Sequence, residues 1–181
     1  MSFDIQTKYN ETLDLLKAGK RPLIKLEEEE LIFLAKKWQE LNEQNAAEIK
    51  FYPILCIADH LTRSHEELVA PLVKTLEQRE EVNLLVYTLS ASFKVIIEDC
   101  QKKNERIPFS FLNALKKPLQ HKDLEVLEWT LRVIDQLGPQ GIFLKAETLG
   151  RKPGFMQKLN PKAKNIFELI GMLEKRWSPH E

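Results

Sequence analysis

The chain reads as an all-α domain of about eight or nine helices with no extended β-sheet, and three observations carry that reading. Apolar residues recur at three- and four-residue spacing through most of its 181 residues. Helix-start and helix-stop residues succeed one another at short intervals. Two leucine-rich stretches 42 or 43 residues apart repeat one order of helix, charged turn and helix.

The elements follow in order. Ser2 is placed to cap a first helix bearing Phe3, Ile5, Tyr9, Leu13 and Leu16, with Gly19 ending it in a left-handed turn. After Arg21-Pro22 a second helix is expected from about Glu27 to Glu43 on Leu31, Leu34, Trp38 and Leu41. Its Glu27-Glu28-Glu29-Glu30 run complements the positive end of the helix dipole. A third helix spans roughly 45–61 with Pro53 kinking or restarting it. Ser64-His65-Glu66-Glu67 has the spacing of a capping box, Ser64 and Glu67 satisfying each other's backbone donors, and opens a helix to about Gln78.

Residues 81–102 form the most apolar helix, with Leu84, Leu85, Leu89, Val95, Ile96 and Ile97 on more than one face, which predicts neighbours on several sides. Pro108 fits the first turn of a short helix holding Phe111, Leu112 and Leu115. Asp123 is placed to cap the next, which stops at Gly138-Pro139. Residues 142–149 read as another short helix and Gly150-Arg151-Lys152-Pro153-Gly154 as a loop. Asn160-Pro161 opens a last helix through Ile166, Leu169, Leu173 and Trp177.

Hydrophobic residues at 43% and charged residues at 30% fit a globular chain of one domain over 1–181, with N-terminal helices in 1–44, helix pairs in 45–150, and a loop and final helix in 151–181. Cys56 and Cys100, both within apolar stretches, read as buried free thiols in a reducing compartment. The N-terminus lacks the basic-then-apolar order of a secretory signal, and no apolar run reaches the length of a membrane span, so the expected location is the cytoplasm. The 27 basic and 27 acidic side chains balance, which argues against a protein that coats DNA by neutralising phosphates. That balance is not local: residues 1–100 hold 12 basic and 18 acidic side chains, residues 101–181 hold 15 and 9. Such a dipolar molecule complements a second copy of itself, which predicts head-to-tail self-association.

The repeat runs from Leu72-Val73-Lys74-Thr75-Leu76 through Leu85-Val86-Tyr87-Thr88-Leu89, and again from Leu115-Lys116-Lys117-Pro118-Leu119 through Leu127-Glu128-Trp129-Thr130-Leu131. Over roughly residues 45–150 this pattern resembles the HEAT and armadillo class of α-solenoids. The resemblance implies a right-handed stack of antiparallel helix pairs with a curved surface for binding proteins or nucleic acids. Prolines at non-equivalent places and units of unequal length depart from the family pattern, and an irregular helical bundle is the alternative.

Few residues suggest chemistry. Cys56 and His60 fall on one side of a helix with Asp59 adjacent and His65 nearby, but zinc takes four ligands and no second Cys or His pair appears. A nucleophile–base reading of the same pair lacks an orienting partner. Glu98 and Asp99 point about 100° apart and are poorly arranged for shared acid–base work. No glycine-rich phosphate loop follows a strand, and no cofactor is implied. The basic C-terminal half is the most suggestive feature. Lys145, Arg151, Lys152, Lys158, Lys162 and Lys164 form one cluster; Lys102, Lys103, Arg106, Lys116, Lys117 and Lys122 form another. Aligned along helix turns, they would form a strip for phosphates or an acidic protein. The expected function is therefore a non-enzymatic protein-interaction or scaffold module, with nucleic-acid binding through the basic half as the alternative and an all-α enzyme as a third.

Overall fold

The structure, a computed structural model, describes residues 3–153 and 160–178. Among them the chain is helical throughout, without strands, as expected. It divides into two compact units, Met1–Arg106 and Ile107–Glu181. The sequence reading marked no boundary there.

Unit 1 contains α1 (Ile5–Lys17), α2 (Glu28–Glu43), α3 (Tyr52–Asp59), α4 (Val69–Gln78), α5 (Val82–Ser92) and α6 (Glu98–Lys103). Short 3₁₀ turns at Glu48–Lys50 and Glu66–Leu68 precede α3 and α4, and a π-helical segment, Phe93–Ile97, joins α5 to α6 in one continuous rod. Unit 2 contains α7 (Phe109–Ala114), α8 (Lys116–Leu119), α9 (Leu124–Gln136), a 3₁₀ stretch Gly138–Leu144, α10 (Lys145–Leu149) and α11 (Pro161–Trp177). With α5 through α6 counted as one rod and α7–α8 as another, the described residues form nine helices.

Several ends form as the sequence predicts. Glu28, Glu29 and Glu30 fill the first turn of α2, where Glu27 and Glu30 also make a reciprocal capping box not expected from sequence, and the Asp123 and Asn160 side chains accept from Glu125 N and Lys162 N to cap α9 and α11. Gly19 and Gly138 adopt φ of 69° and 58°, a left-handed conformation that costs other residues strain. Others differ. Ser2 lies outside the described residues, and Asp4 caps α1 by accepting from Thr7 N at 2.8 Å. Pro53 sits in the first turn of α3 and restarts the helix, since a missing N–H is harmless there. The expected Ser64–Glu67 box does not form: Ser64 donates to the Val95 carbonyl in the π-helical segment at 2.8 Å, and His65 Nδ1 accepts from Glu67 N.

The linker between α1 and α2 is strapped to the turn after α3. Ile24 N donates to His60 O and Thr62 N donates to Ile24 O, both at 2.9 Å, and Arg63 Nε donates to Leu26 O. In unit 1, α2 packs on α4, α4 on α5, α5 on α3, and α3 on α1. In unit 2, α9 packs against α8 and α11, and α10 against α11.

A buried polar cluster ties α2 to α4. Trp38 is fully buried, and its indole N–H donates to Thr75 Oγ1 at 2.9 Å. The Thr75 hydroxyl is shared between Asn42 Oδ1 and Pro71 O, and Asn42 Nδ2 also donates to Pro71 O. Arg79, also buried, donates to Ala46 O, stacks over the Phe51 ring and pairs with Glu81. The Arg79 guanidinium holds the Glu81 carboxyl down to about 2.

The two units share one local pattern. Thr88 and Thr130, the equivalent threonines of the repeat, are fully buried, and each donates to the carbonyl four residues back at 2.7 Å. Leu89 and Leu131 beside them are fully buried too.

Thr75→Val would strand the Trp38 N–H in the core, and denaturant titration should show a loss of about 1–3 kcal/mol. An unchanged midpoint would mean that the cluster contributes nothing net. A second expectation concerns acid. Because the Glu81 carboxyl titrates lower when folded, its contribution is present above about pH 4.5 and lost as pH falls toward 2. Thermal melts across that range should therefore show Glu81→Gln losing less stability with acid than the parent.

Candidate functional site

The chain has three tyrosines, and all three line one cleft in unit 1. Tyr9, Leu13 and Leu16 come from α1, where spacings of four and three put them on one face. Tyr52, Leu55, Cys56 and Asp59 come from α3, with His60 at its C-terminal cap, and Tyr87 and Ser90 come from α5. The cavity holds about 290 Å³ and opens to solvent. Its wall is mainly hydrocarbon and aromatic ring. Tyr52 and Tyr87 meet edge to face, with centroids 5.3 Å apart and planes at 83°.

Two polar groups of the cleft, Asp59 and His60, are engaged within the protein. Asp59 Oδ1 accepts from Ser90 Oγ at 2.8 Å. His60 Nδ1 lies 2.8 Å from the Cys56 carbonyl oxygen, which can only accept, so Nδ1 carries a proton and bonds backbone rather than thiol. Burial, and then the Asp59 carboxylate, push the Cys56 thiol up to about 11. Burial first, then Cys56 and Tyr87, raise the Tyr9 phenol; burial and the neighbouring Glu48 raise that of Tyr52. The sequence reading placed Cys56 and His60 on one side of a helix, and both do reach this cleft. The thiol is held in its unreactive form, however, because a low-dielectric wall and a nearby carboxylate both oppose thiolate. Among the described residues no group of three or more His, Cys, Asp or Glu is arranged to hold a metal ion.

The basic residues of unit 2 have other surroundings. Lys116 pairs with Glu147 at 3.2 Å, Lys152 with Glu174 at 2.6 Å, Lys162 with Glu125 at 3.0 Å and Lys164 with Glu168 at 3.8 Å. Lys152 also stands 5.4 Å over the Phe167 ring. Lys145 donates to Trp177 O and Arg151 to His121 O. Lys117 is half-buried on α8, Lys122 is exposed in the loop before α9, and Lys158 lies outside the described residues. Lys116, Lys152 and Lys162 thus meet carboxylates from other helices, Lys164 one on its own helix, and Lys145 and Arg151 meet backbone carbonyls. Exposed pairs of this kind are weak, so a polyanion could compete for them.

The cleft was missed from sequence because each tyrosine reads as an ordinary core or surface residue of its own helix. No protein-family model matches the chain, and no curated protein or solved structure shows significant similarity to it.

With a thiol near 11, only about one Cys56 in a thousand is thiolate at pH 8. Peptide mapping after iodoacetamide treatment should show Cys56 modified roughly a hundredfold more slowly than an unperturbed cysteine. Alkylation at the ordinary rate would mean the thiol is not held in this environment.

Proposed function

We propose that the chain is a non-enzymatic interaction module of the helical-repeat class, working in the cytoplasm, whose cleft between α1, α3 and α5 takes an anchoring side chain from a protein partner. One observation carries this reading: the cleft is open and largely apolar, with Asp59 bonded to Ser90 and the His60 ring bonded to backbone. Such a cavity offers shape and desolvation without an activated nucleophile or an ordered acid–base pair. Leu16 and Tyr87, which line the cleft, are 42% and 50% exposed and supply an apolar rim. The repeated burial of Thr88 and Thr130 in equivalent roles supports the helical-repeat part of the reading.

Peptide display on the full chain tests this. Selected peptides should lose about tenfold or more in affinity on Leu16→Glu, a change at an exposed rim position, and keep it in a Lys152→Glu, Lys162→Glu, Lys164→Glu triple variant. The reverse pattern, joined to oligonucleotide binding that falls steeply with salt, would replace this reading with phosphate recognition by the basic half.

A further inference from the structure

We infer that the tyrosine-lined cleft recognises a quaternary ammonium group, presented as the trimethylated side-chain end of a lysine in a protein partner. The inference rests on the docking reading above and names the chemistry of the anchor.

Three features point to it. First, the side chains of Tyr9, Tyr52 and Tyr87 converge from three helices on one cavity, and the rings of Tyr52 and Tyr87 stand at right angles. Perpendicular rings present aromatic surface in two directions, and a cation beside a ring face is attracted even at a partly exposed site. Second, the charge is complementary. Asp59 lines the cleft, Glu48 stands beside the Tyr52 phenol, and unit 1 carries 19 acidic against 15 basic side chains. No lysine or arginine lines the cavity.

Third, the supply of acceptors selects among cations. A primary ammonium brings three N–H donors that must be satisfied on leaving water. Here one oxygen of the sole lining carboxylate, Asp59, already accepts from Ser90, and apart from the phenol hydroxyls and the His60 ring the wall is mainly aromatic and hydrocarbon, so charged acceptors are few. A quaternary ammonium has no N–H to satisfy, and its methyl groups suit the same wall. The four-methylene stem of lysine matches the hydrocarbon supplied by Leu13, Leu16 and Leu55. The open mouth with its apolar rim favours a side chain entering from a partner over a free molecule enclosed on all sides.

Calorimetry on the full chain would compare N-acetyl-trimethyllysine methylamide with its neutral analogue, in which carbon replaces the charged nitrogen, and with free choline. The expected result is binding of the trimethyllysine derivative about tenfold or more tighter than the neutral analogue. That preference should vanish in Asp59→Asn, which keeps an acceptor for Ser90, and shrink in Tyr87→Leu, a half-exposed position. Thermal melts of both variants check that the fold is intact. Equal binding of charged and neutral compounds would overturn cation recognition and leave apolar docking standing. Tighter binding of choline would overturn the assignment to a partner's side chain. If neither lysine analogue binds at millimolar concentration and Leu16→Glu leaves peptide binding unaffected, the docking reading falls as well.

Discussion

Trp38 sits at full burial with a single polar atom that must find a partner, and unit 1 is organised around how that need is met. Its indole N–H reaches across to Thr75, which itself is tied to Asn42 and Pro71. A buried donor without an acceptor is costly, so only one register of α2 against α4 is comfortable. The consequence passes from helix to helix: α4 packs on α5, α5 on α3, and α3 on α1. The cleft lies at the far end of that series. The strap from Ile24 to His60 and Thr62 holds the α1–α2 linker against the end of α3.

Several polar atoms of the cleft are engaged within unit 1. An active site leaves a nucleophile or base exposed at a matched pKa, with a partner oriented toward it. Here the imidazole is tied to backbone, the carboxylate to a serine, and the thiol is suppressed by burial and by a neighbouring negative charge. What remains available is aromatic surface with one carboxylate in the wall.

The charge asymmetry along the sequence takes a more divided form in the structure. In unit 2, Lys116, Lys152 and Lys162 each stand near a carboxylate from another helix, and Lys164 near Glu168 one turn along its own. Counting charge along the chain cannot reveal this. Glu125 and Glu174 are 37 and 22 residues from the lysines they meet, and only helix packing closes those distances.

Local features were legible because their physics is local. The spacing of Leu31, Leu34 and Trp38, the acidic first turn of α2, the helix stops at Gly19 and Gly138, and the Asp123 and Asn160 helix starts all depend on residues within a few positions of one another. The same local logic failed at Ser64, whose hydroxyl prefers a carbonyl 31 residues away in the π-helical segment. The division into two units and the meeting of Tyr9, Tyr52 and Tyr87 likewise stayed hidden. By itself the sequence determined the helices, most of their ends and the apolar face each must bury, since these follow from intrahelical hydrogen bonds and side-chain periodicity. Which faces met, and so which side chains enclosed a cavity, was decided only by tertiary packing. The axial rotation and crossing of each helix pair come from the simultaneous fit of many distant side chains, and no short stretch of sequence encodes that fit.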